Sequence, residues 1–231
     1  MNFVVSGSTG YIGHYFCEAA RIAGHNIVEE PYEASVGIHL EWKHLPDYES
    51  AIHYNNVWSC LETAMAWRKR GLKNILIAGT CYEIIPNPPH YARAKLALLE
   101  EMVKRKADFH SIKWVRLFNI YGGDRERSSR LVPKLLQAVY RAHIDLDRPE
   151  FRVINASRDF MHVKKVVARL LRIAEQPQSG IYHCCRGEAV PVEAFCRSFI
   201  PDESVGIVAD LEMPDYEPEE LSGNPNHFTP L

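Results

Sequence analysis

Tyr91 and Lys95 are the residues of this sequence whose types and spacing point most directly to chemistry. Pro88 and Pro89 precede them and the run Leu96–Val103 follows, a pattern that predicts a helix beginning near Tyr91. Residues four apart lie on one helix face, so the phenol and the ammonium would be neighbours. The ammonium would lower the pKa of Tyr91 from about 10 towards neutrality, which suits an acid/base catalyst. The alternative is a solvated helix face on which neither residue acts.

A glycine-rich turn stands well upstream of this pair. Asn2–Val5 has the pattern of a short buried strand, and it runs into the turn Gly7–Gly13 and then into a helix predicted over Tyr15–Ala23. A strand, a glycine turn and a helix in this order are the context of a dinucleotide-binding loop. The glycines let the backbone approach a pyrophosphate at the positive end of the helix. A glycine turn alone would also fit an ordinary loop, and the downstream pair favours the functional interpretation.

With these motifs the sequence resembles the extended short-chain dehydrogenase/reductases, in particular the nucleotide-sugar epimerases, dehydratases and 4-ketoreductases. The matching motifs follow the family's order and span most of the chain. They are Gly7-x-x-Gly10-x-x-Gly13, Ala78-Gly79-Thr80-Cys81, Tyr91-x-x-x-Lys95, Arg116-Leu117-Phe118-Asn119-Ile120-Tyr121-Gly122 and Arg158-Asp159-Phe160-Met161-His162-Val163.

The resemblance implies a role for individual residues. Thr80 would hydrogen-bond to the reacting oxygen, Tyr91 would carry the proton, and Lys95 would hold the nicotinamide ribose. The expected contacts of an NAD or NADP cofactor are Gly7, Thr9, Gly10, Tyr11, Ile12, Gly13, Glu30, Leu40, Tyr91 and Lys95. The expected contacts of a nucleotide-sugar substrate are Asn119 and Arg158. A guanidinium at position 158 suits a diphosphate, because its planar donors bind phosphate oxygens in pairs.

Each of these roles has a purely structural alternative. Thr80 would then cap the end of a strand, and Asn119 would stabilise a turn. Arg158 would make a surface interaction with Asp159 that contributes little. His162, which follows in the same motif, fits a packed histidine better than a catalyst.

The sequence departs from the family in its N-terminal half. The family places an acidic residue for the adenosine ribose at the end of its second strand, but Pro31 takes that position here, and Glu29 and Glu30 lie slightly before it. The spacing also predicts the loss of one strand and one helix relative to the family, because Ile38 follows Gly13 by only 25 residues. We therefore expect a smaller sheet with a more open adenine end.

The charges near this region favour NAD over NADP. A carboxylate of Glu29 or Glu30 that faced the cofactor would accept hydrogen bonds from ribose hydroxyls and repel a 2′-phosphate. No arginine or lysine lies between Arg21 and Lys43 to attract that phosphate.

The remaining elements predict an α/β fold with a doubly wound parallel sheet of the Rossmann type and a small C-terminal substrate lobe. We place the dinucleotide-binding domain at residues 1–122 and the substrate lobe mainly at residues 123–231. The run Gly24–Glu30 predicts a helix exit followed by a second strand. Further strands are predicted at Ser35–Trp42, Asn74–Ala78, Ile112–Leu117, Arg152–Ile154, Ile181–Cys184 and Val205–Ala209. Further helices are predicted at Tyr54–Arg70, Leu131–Ala142 and Asp159–Glu175. A loop into the second lobe is expected at Asn119–Gly123, and an acidic, proline-containing tail after Met213 is expected to be partly disordered.

Composition narrows the class of protein. A chain of 231 residues with 46% hydrophobic residues can bury a sizeable core. A net charge of -2 without a basic cluster argues against nucleic acid as the main partner, and no apolar run reaches the length of a membrane span. The six cysteines form no Cys-x-x-Cys pair, and with the eleven histidines they form no metal-spaced cluster. We expect a cytoplasmic protein without a metal, and a homodimer remains open.

The reaction type depends on the two residues after Thr80. Family members that perform 4,6-dehydration carry an Asp-Glu pair there, whereas this sequence has Cys81 and Tyr82. Elimination of water therefore lacks its expected acid and base, which favours reduction of a 4-keto nucleotide sugar. A 4-epimerase is the closest alternative. A substrate without a nucleotide and a non-catalytic cofactor-binding sensor or partner subunit also remain open.

Overall fold

The computed structural model describes residues 1–145, 148–200 and 204–231. The strands, numbered in chain order, are β1 (Asn2–Ser6), β2 (Asn26–Ile27), β3 (Val36–His39), β4 (Asn74–Thr80), β5 (Ser111–Leu117), β6 (Asn119–Tyr121), β7 (Glu150–Ile154), β8 (Ser157–Arg158), β9 (Phe160–His162), β10 (Gly180–Cys184), β11 (Val190–Pro191), β12 (Gly206–Leu211), β13 (Glu220–Leu221) and β14 (Phe228–Pro230). The α-helices are α1 (Tyr11–Ile22), α2 (Tyr54–Lys69), α3 (His90–Lys104), α4 (Leu131–Asp145), α5 (Val163–Glu175) and α6 (Val192–Arg197). Short 3-10 helices lie at Pro31–Glu33, Ala51–His53, Cys81–Ile84 and Lys106–Asp108.

Within the described residues, the main sheet has seven strands in the order β14-β10-β5-β4-β3-β1-β2. All neighbouring pairs are parallel except β10 and β14, which are antiparallel. Its central strands are continuous apolar runs because both faces of a parallel sheet are covered by helices. The predicted α/β fold with a doubly wound parallel sheet is confirmed.

The two faces of the sheet hold separate hydrophobic cores. On one face α1 packs against α5, and the apolar residues of this core include Phe3, Phe16, Ile38 and Val166. On the other face α2 packs against α3, over a core that is centred on Trp114. Side chains that alternate along each strand supply both cores.

The C-terminal part of the chain forms a smaller lobe beside the sheet, and its role in substrate binding remains a prediction. In it β7 and β12 pair in parallel, and α4 and α6 cover them with a core that includes Leu135, Val153, Cys196 and Ile207. The chain crosses back from this part of the sequence, because α5 and β10 belong to the main sheet and its covering layer. The division at residue 122 remains a prediction.

The shortened N-terminal half takes a simple form. The chain passes from β2 to β3 through residues 28–35, whose only regular element is the 3-10 helix Pro31–Glu33. The second strand covers only Asn26–Ile27 of the predicted run Gly24–Glu30, and the 3-10 helix begins soon after it at Pro31. β2 is the last strand on its side of the sheet within the described residues.

Three predicted elements need correction. α1 begins at Tyr11 and not at Tyr15, because Gly10 already serves as its N-cap. The predicted loop at Asn119–Gly123 starts as strand β6, which pairs with β9. The helix predicted from Asp159 begins at Val163, and its cap is the His162 ring, which accepts a hydrogen bond from the backbone of Lys164.

The acidic tail also differs from the expectation, because it packs against the body of the protein. β13 joins β8, and β14 forms the edge of the main sheet beside β10. Leu221 is buried against Cys81, Phe118 and Cys185. Among the described residues, no helix is both long enough and apolar enough to cross a membrane.

Candidate active site

Thr80 is the last residue of β4 and lies at the carboxyl edge of the sheet, where open α/β sheets bind their ligands. It is buried, and it caps the 3-10 helix Cys81–Ile84: its hydroxyl accepts a hydrogen bond from the backbone of Tyr82 at 3.4 Å. Its own backbone N–H donates to the Glu83 carboxylate at 2.7 Å. The capping role that was the structural alternative is therefore present. It leaves the hydroxyl close enough to Tyr91 to lower the pKa of its phenol.

Glu83 is a residue that the sequence reasoning missed. Its side chain is fully buried and accepts hydrogen bonds from the Trp114 indole and the Arg116 guanidinium, both at 2.9 Å. Together with the hydrogen bond from the backbone N–H of Thr80, these contacts hold the carboxyl end of β4 in place. The sequence does contain a pattern that predicts this contact, because Thr80 is followed three residues later by Glu83, the spacing of a capping box.

Tyr91 and Lys95 lie one turn apart at the start of α3, as predicted. Both are buried, Tyr91 to 8% and Lys95 to 4% exposure. The Lys95 ammonium donates to the carbonyl of Ala78 at 2.6 Å and lies 3.8 Å from the centre of the Trp42 ring, a cation–π contact. β4 and α3 thus bring Thr80, Tyr91 and Lys95 to one place.

The acidity of Tyr91 differs from the sequence expectation. Burial raises the pKa of the Tyr91 phenol, the neighbouring Tyr48 adds to this increase, and the hydrogen bond with Thr80 partly opposes it. Burial also lowers the pKa of Lys95 to about 8. In this structure the phenol is therefore a protonated donor at neutral pH, because the loss of solvent outweighs the nearby ammonium.

The segment between β3 and α2 contributes side chains to the site that the sequence reasoning did not select. Trp42, Tyr48 and His53 surround the Tyr91 ring, with ring centres 5.8, 5.4 and 5.3 Å away. The Trp42 indole donates to the His53 ring at 3.1 Å, and His53 is fully buried. These residues lie far from Tyr91 in the sequence, so no local sequence pattern predicted the contact.

The glycine turn has the close-packed backbone that a dinucleotide requires. Gly7 has a φ of +78°, in the left-handed region that favours glycine. A Cβ at Gly13 would lie 2.0 Å from the carbonyl oxygen of Gly7. No side chain caps α1 and no acidic residue lies in its first turn, so the N–H groups of Tyr11 and Ile12 are placed for an anion. These residues fit a pyrophosphate, and the hydroxyl of Thr9 stands within the same turn.

Two other predicted cofactor contacts sit differently. Leu40 packs its side chain against the hydrophobic core of the α1 face. The Glu30 carboxylate pairs with Arg70 at the end of α2. A cavity of about 490 Å³ next to the glycine turn is lined instead by Glu29, with Ser8 and His14 among its other residues. The structure therefore favours Glu29 over Glu30 as the carboxylate near the adenosine, and both contacts remain predictions.

The predicted substrate residues are engaged within the protein. The Asn119 amide donates to the backbone carbonyl of Asp159 at 3.4 Å. Arg158 is buried, and its guanidinium donates to the Glu217 carboxylate at 2.5 Å and to the carbonyl of Glu219. Its ion pair is thus with Glu217 of the tail and not with Asp159, whose carboxylate accepts backbone N–H groups. A diphosphate would have to take the place of Glu217 to reach Arg158.

The two residues after Thr80 offer no carboxylic acid, as the sequence indicated. Burial raises the pKa of the Cys81 thiol to about 12, so it stays protonated at neutral pH. The Tyr82 hydroxyl donates to Glu217 at 2.6 Å, and burial raises the pKa of this phenol as well.

The parallel sheet, the glycine turn after β1 and the group Thr80, Tyr91 and Lys95 define a dinucleotide-dependent enzyme of the short-chain dehydrogenase/reductase type. Residues 33–185 match the NAD dependent epimerase/dehydratase family, and the chain belongs to this family. The match confirms the family that the motifs predicted and, with it, an enzyme that uses a nicotinamide cofactor.

One curated relative matches along most of its length. It is the dTDP-6-deoxy-L-talose 4-dehydrogenase (NAD(+)) of Aggregatibacter actinomycetemcomitans, which is 23% identical over 256 residues that cover 90% of this chain and 92% of the relative.

Solved structures share the fold. RMD from Pseudomonas aeruginosa, complexed with NADPH, aligns with a TM-score of 0.81 at 19% identity, covering 97% of this chain and 89% of that one. The UDP-N-acetylglucosamine 4-epimerase of Methanobrevibacter ruminantium aligns with a TM-score of 0.78 at 15% identity and the same coverage. The UDP-glucose 4-epimerase of Thermus thermophilus, in complex with NAD, aligns with a TM-score of 0.77 at 14% identity, covering 97% and 91% of the two chains.

Proposed function

We propose that this protein is an NAD(P)-dependent oxidoreductase of nucleotide sugars that reduces a 4-keto sugar to the 4-hydroxy sugar. The observation that carries the proposal is the convergence of three buried groups: Thr80 at the end of β4, the protonated Tyr91 beside it, and Lys95 one helix turn further on. One positioned proton donor is sufficient for reduction, whereas elimination of water needs an additional acid and base.

The chain's own residues have distinct tasks in this reaction. When bound, the reduced nicotinamide supplies a hydride, which adds to C4 of the sugar. Tyr91 gives its phenolic proton to the C4 oxygen as that oxygen gains negative charge. Thr80 donates a hydrogen bond to the same oxygen, and the Lys95 ammonium stabilises the phenolate that is left until solvent reprotonates it.

The cofactor would lie with its pyrophosphate on Gly7, Gly10 and Gly13 and its nicotinamide ribose near Lys95. The cavity beside the glycine turn is lined by the Glu29 carboxylate, which favours NAD, and also by Arg21, whose positive charge would attract the 2′-phosphate of NADP. NAD is kept as the preferred form in this proposal because Glu29 can accept hydrogen bonds from the ribose hydroxyls. Arg158 and Asn119 remain the proposed contacts of the nucleotide sugar. A homodimer and a cytoplasmic location stay predictions.

Two observations bear on the choice between reduction and epimerisation. The curated relative is named as a 4-dehydrogenase, which is the same type of reaction at the same carbon. Two of the compared structures are named as 4-epimerases, and that likeness keeps 4-epimerisation as the second candidate. An epimerase keeps its cofactor in place through a cycle, whereas a reductase consumes and releases it.

The test uses the purified chain with a panel of 4-keto-6-deoxy nucleotide sugars and either NADH or NADPH. We expect stoichiometric loss of the absorbance of the reduced nicotinamide, with the 4-hydroxy sugar as product. Interconversion of two nucleotide hexoses without net cofactor use would point to the epimerase. Formation of a dehydrated product from an unmodified nucleotide hexose would contradict the proposal.

A further inference from the structure

Tyr48 lies against the catalytic tyrosine although it comes from a different part of the chain. Its backbone carbonyl accepts the hydrogen bond from the N–H of Tyr91 at 2.9 Å, which ties the segment after β3 to the first turn of α3. Its ring lies 5.4 Å from the Tyr91 ring and 5.5 Å from the Tyr82 ring, measured between centres. The side chain is half-buried, so part of it is accessible to solvent.

The hydroxyl of Tyr48 differs from those of the neighbouring tyrosines. The Tyr82 hydroxyl donates to Glu217 at 2.6 Å, and the Tyr11 hydroxyl donates to the carbonyl of Gly122 at 2.7 Å. No hydrogen bond of the Tyr48 hydroxyl occurs within residues 1–145, 148–200 and 204–231. A polar group at the reacting end of the site is therefore open to a ligand.

The surroundings of this hydroxyl suit a sugar. Burial raises the pKa of the Tyr48 phenol, Arg130 partly opposes this increase, and Cys81 and Glu217 add to it. The phenol therefore remains a neutral hydroxyl that can both donate and accept. The rings of Tyr48, Tyr82 and Tyr91 add an apolar wall, and a hexose has apolar C–H faces as well as hydroxyl groups.

We propose that Tyr48 is a specificity-determining residue whose hydroxyl bonds to a ring hydroxyl of the sugar next to the reacting carbon. This inference rests on the proposed function, because it takes the sugar to be bound at Tyr91. The segment 40–53, and not only the substrate lobe, would then select the sugar.

The test compares the wild-type protein with Tyr48→Phe, which keeps the ring contacts and removes only the hydroxyl. Tyr140→Phe is the matched control, because Tyr140 is 68% exposed on α4. We expect Tyr48→Phe to raise KM for the 4-keto nucleotide sugar by roughly tenfold, the usual effect of one uncharged hydrogen bond. The turnover number should change by less than about twofold, because the proton donor is intact. Cofactor affinity and the unfolding midpoint should match those of the control.

Substrates that each lack one ring hydroxyl sharpen the test. One such analogue should bind wild type about as weakly as the parent sugar binds Tyr48→Phe, and its binding should not weaken further in the variant. Unchanged KM in Tyr48→Phe, or an equal loss for every analogue in both proteins, would overturn the inference.

Calorimetric binding of an unmodified nucleotide hexose separates this inference from the proposed reaction. Binding to wild type without any cofactor oxidation on keto sugars would refute the reaction, and a weaker Kd in Tyr48→Phe would still support Tyr48. Equal Kd values for the two proteins would refute the role of Tyr48 while leaving the reaction in place. A wild-type protein that binds no nucleotide sugar would refute both.

Discussion

The two ends of the cofactor site differ in the atoms that form their surfaces, which are backbone atoms at one end and side-chain atoms at the other. At the glycine turn the contact surface is backbone, and Gly7 and Gly13 approach so closely that no side chain fits between them. At the other end the surface is made of side chains, with Trp42 and Tyr48 pressed around Tyr91. The glycine turn depends on residues that have no side chain. The site around Tyr91 depends on the functional groups of individual side chains.

This difference predicts different responses to substitution. A side chain added at the glycine turn should act through steric overlap, so it should lower cofactor affinity and stability together. Removal of one functional group from the side chains around Tyr91, or from an ion pair near them, should change only turnover or the energy of that ion pair. Cofactor binding should stay intact.

The largest effect is expected for Tyr91→Phe. Loss of the proton donor should lower turnover by ~10²–10⁴-fold, while cofactor affinity changes little because the ring still fills its place. Steady-state kinetics and a fluorescence titration with the reduced cofactor would measure the two quantities. Wild-type turnover in the variant would show that Tyr91 is not the proton donor of the reaction.

A large loss of stability is expected for Glu217→Gln. It leaves the Arg158 guanidinium buried without its counter-charge, which should lower the free energy of unfolding by about 3–5 kcal/mol. The control is Asp210→Asn, which removes the exposed pair with Arg152 and should cost less than about 1 kcal/mol. Urea unfolding compares them, and equal losses would mean that the tail contact is no stronger than a surface pair.

At the glycine turn, Gly13→Ala should lower the free energy of unfolding by about 1–3 kcal/mol and abolish tight cofactor binding. The reason is the added Cβ, only 2.0 Å from the carbonyl oxygen of Gly7. Gly10→Ala is the graded control for stability, because its Cβ would lie 3.2 Å from the same oxygen and should lower the free energy of unfolding far less. The same affinity in all three proteins would remove the glycine turn from the cofactor site.

The last prediction concerns the pH dependence of stability, which spreads a moderate change over several pH units. Burial lowers the pKa of Lys95 and of Lys113 from 10.5 to about 8 in the folded protein. Between these values the unfolded chain binds more protons, so stability should rise as pH increases from about 8 towards 10.5, by on the order of 1–3 kcal/mol per lysine.

Lys95→Met and Lys113→Met should each remove part of that rise. Lys113 lies away from the cleft with its ammonium on the Ser111 hydroxyl, so it separates the effect of burial from that of the site. A rise that persists in both variants would assign it to other groups.

The parts of this protein that the sequence predicted well are those in which neighbours in space are also close in the chain. Thr80, Tyr91 and Lys95 come from one strand–helix unit, and the strands of the main sheet are apolar runs bounded by turn residues. Hydrophobic pattern and motif spacing contain this information directly.

The rest depends on contacts between distant segments. Glu217 is 59 residues from Arg158 and 135 from Tyr82, so no local pattern linked the three. The pKa of Tyr91 also could not be predicted, because it is set by burial under Trp42 and Tyr48 and not by the spacing to Lys95. The start of α5 was misplaced since Phe160–His162 has an apolar pattern that a helix and a strand share.

The two-residue strand β2 has a further consequence for how this protein behaves in concentrated solution. Long exposed sheet edges offer unpaired N–H and C=O groups to other chains and promote aggregation. Here one edge of the main sheet is β2, two residues long, and the other is β14, three residues that include Pro230. A strand from another molecule would find few hydrogen bonds to make at either edge, since proline also lacks an N–H. The compact N-terminal half thus leaves the sheet with little surface on which copies could pair by strand addition.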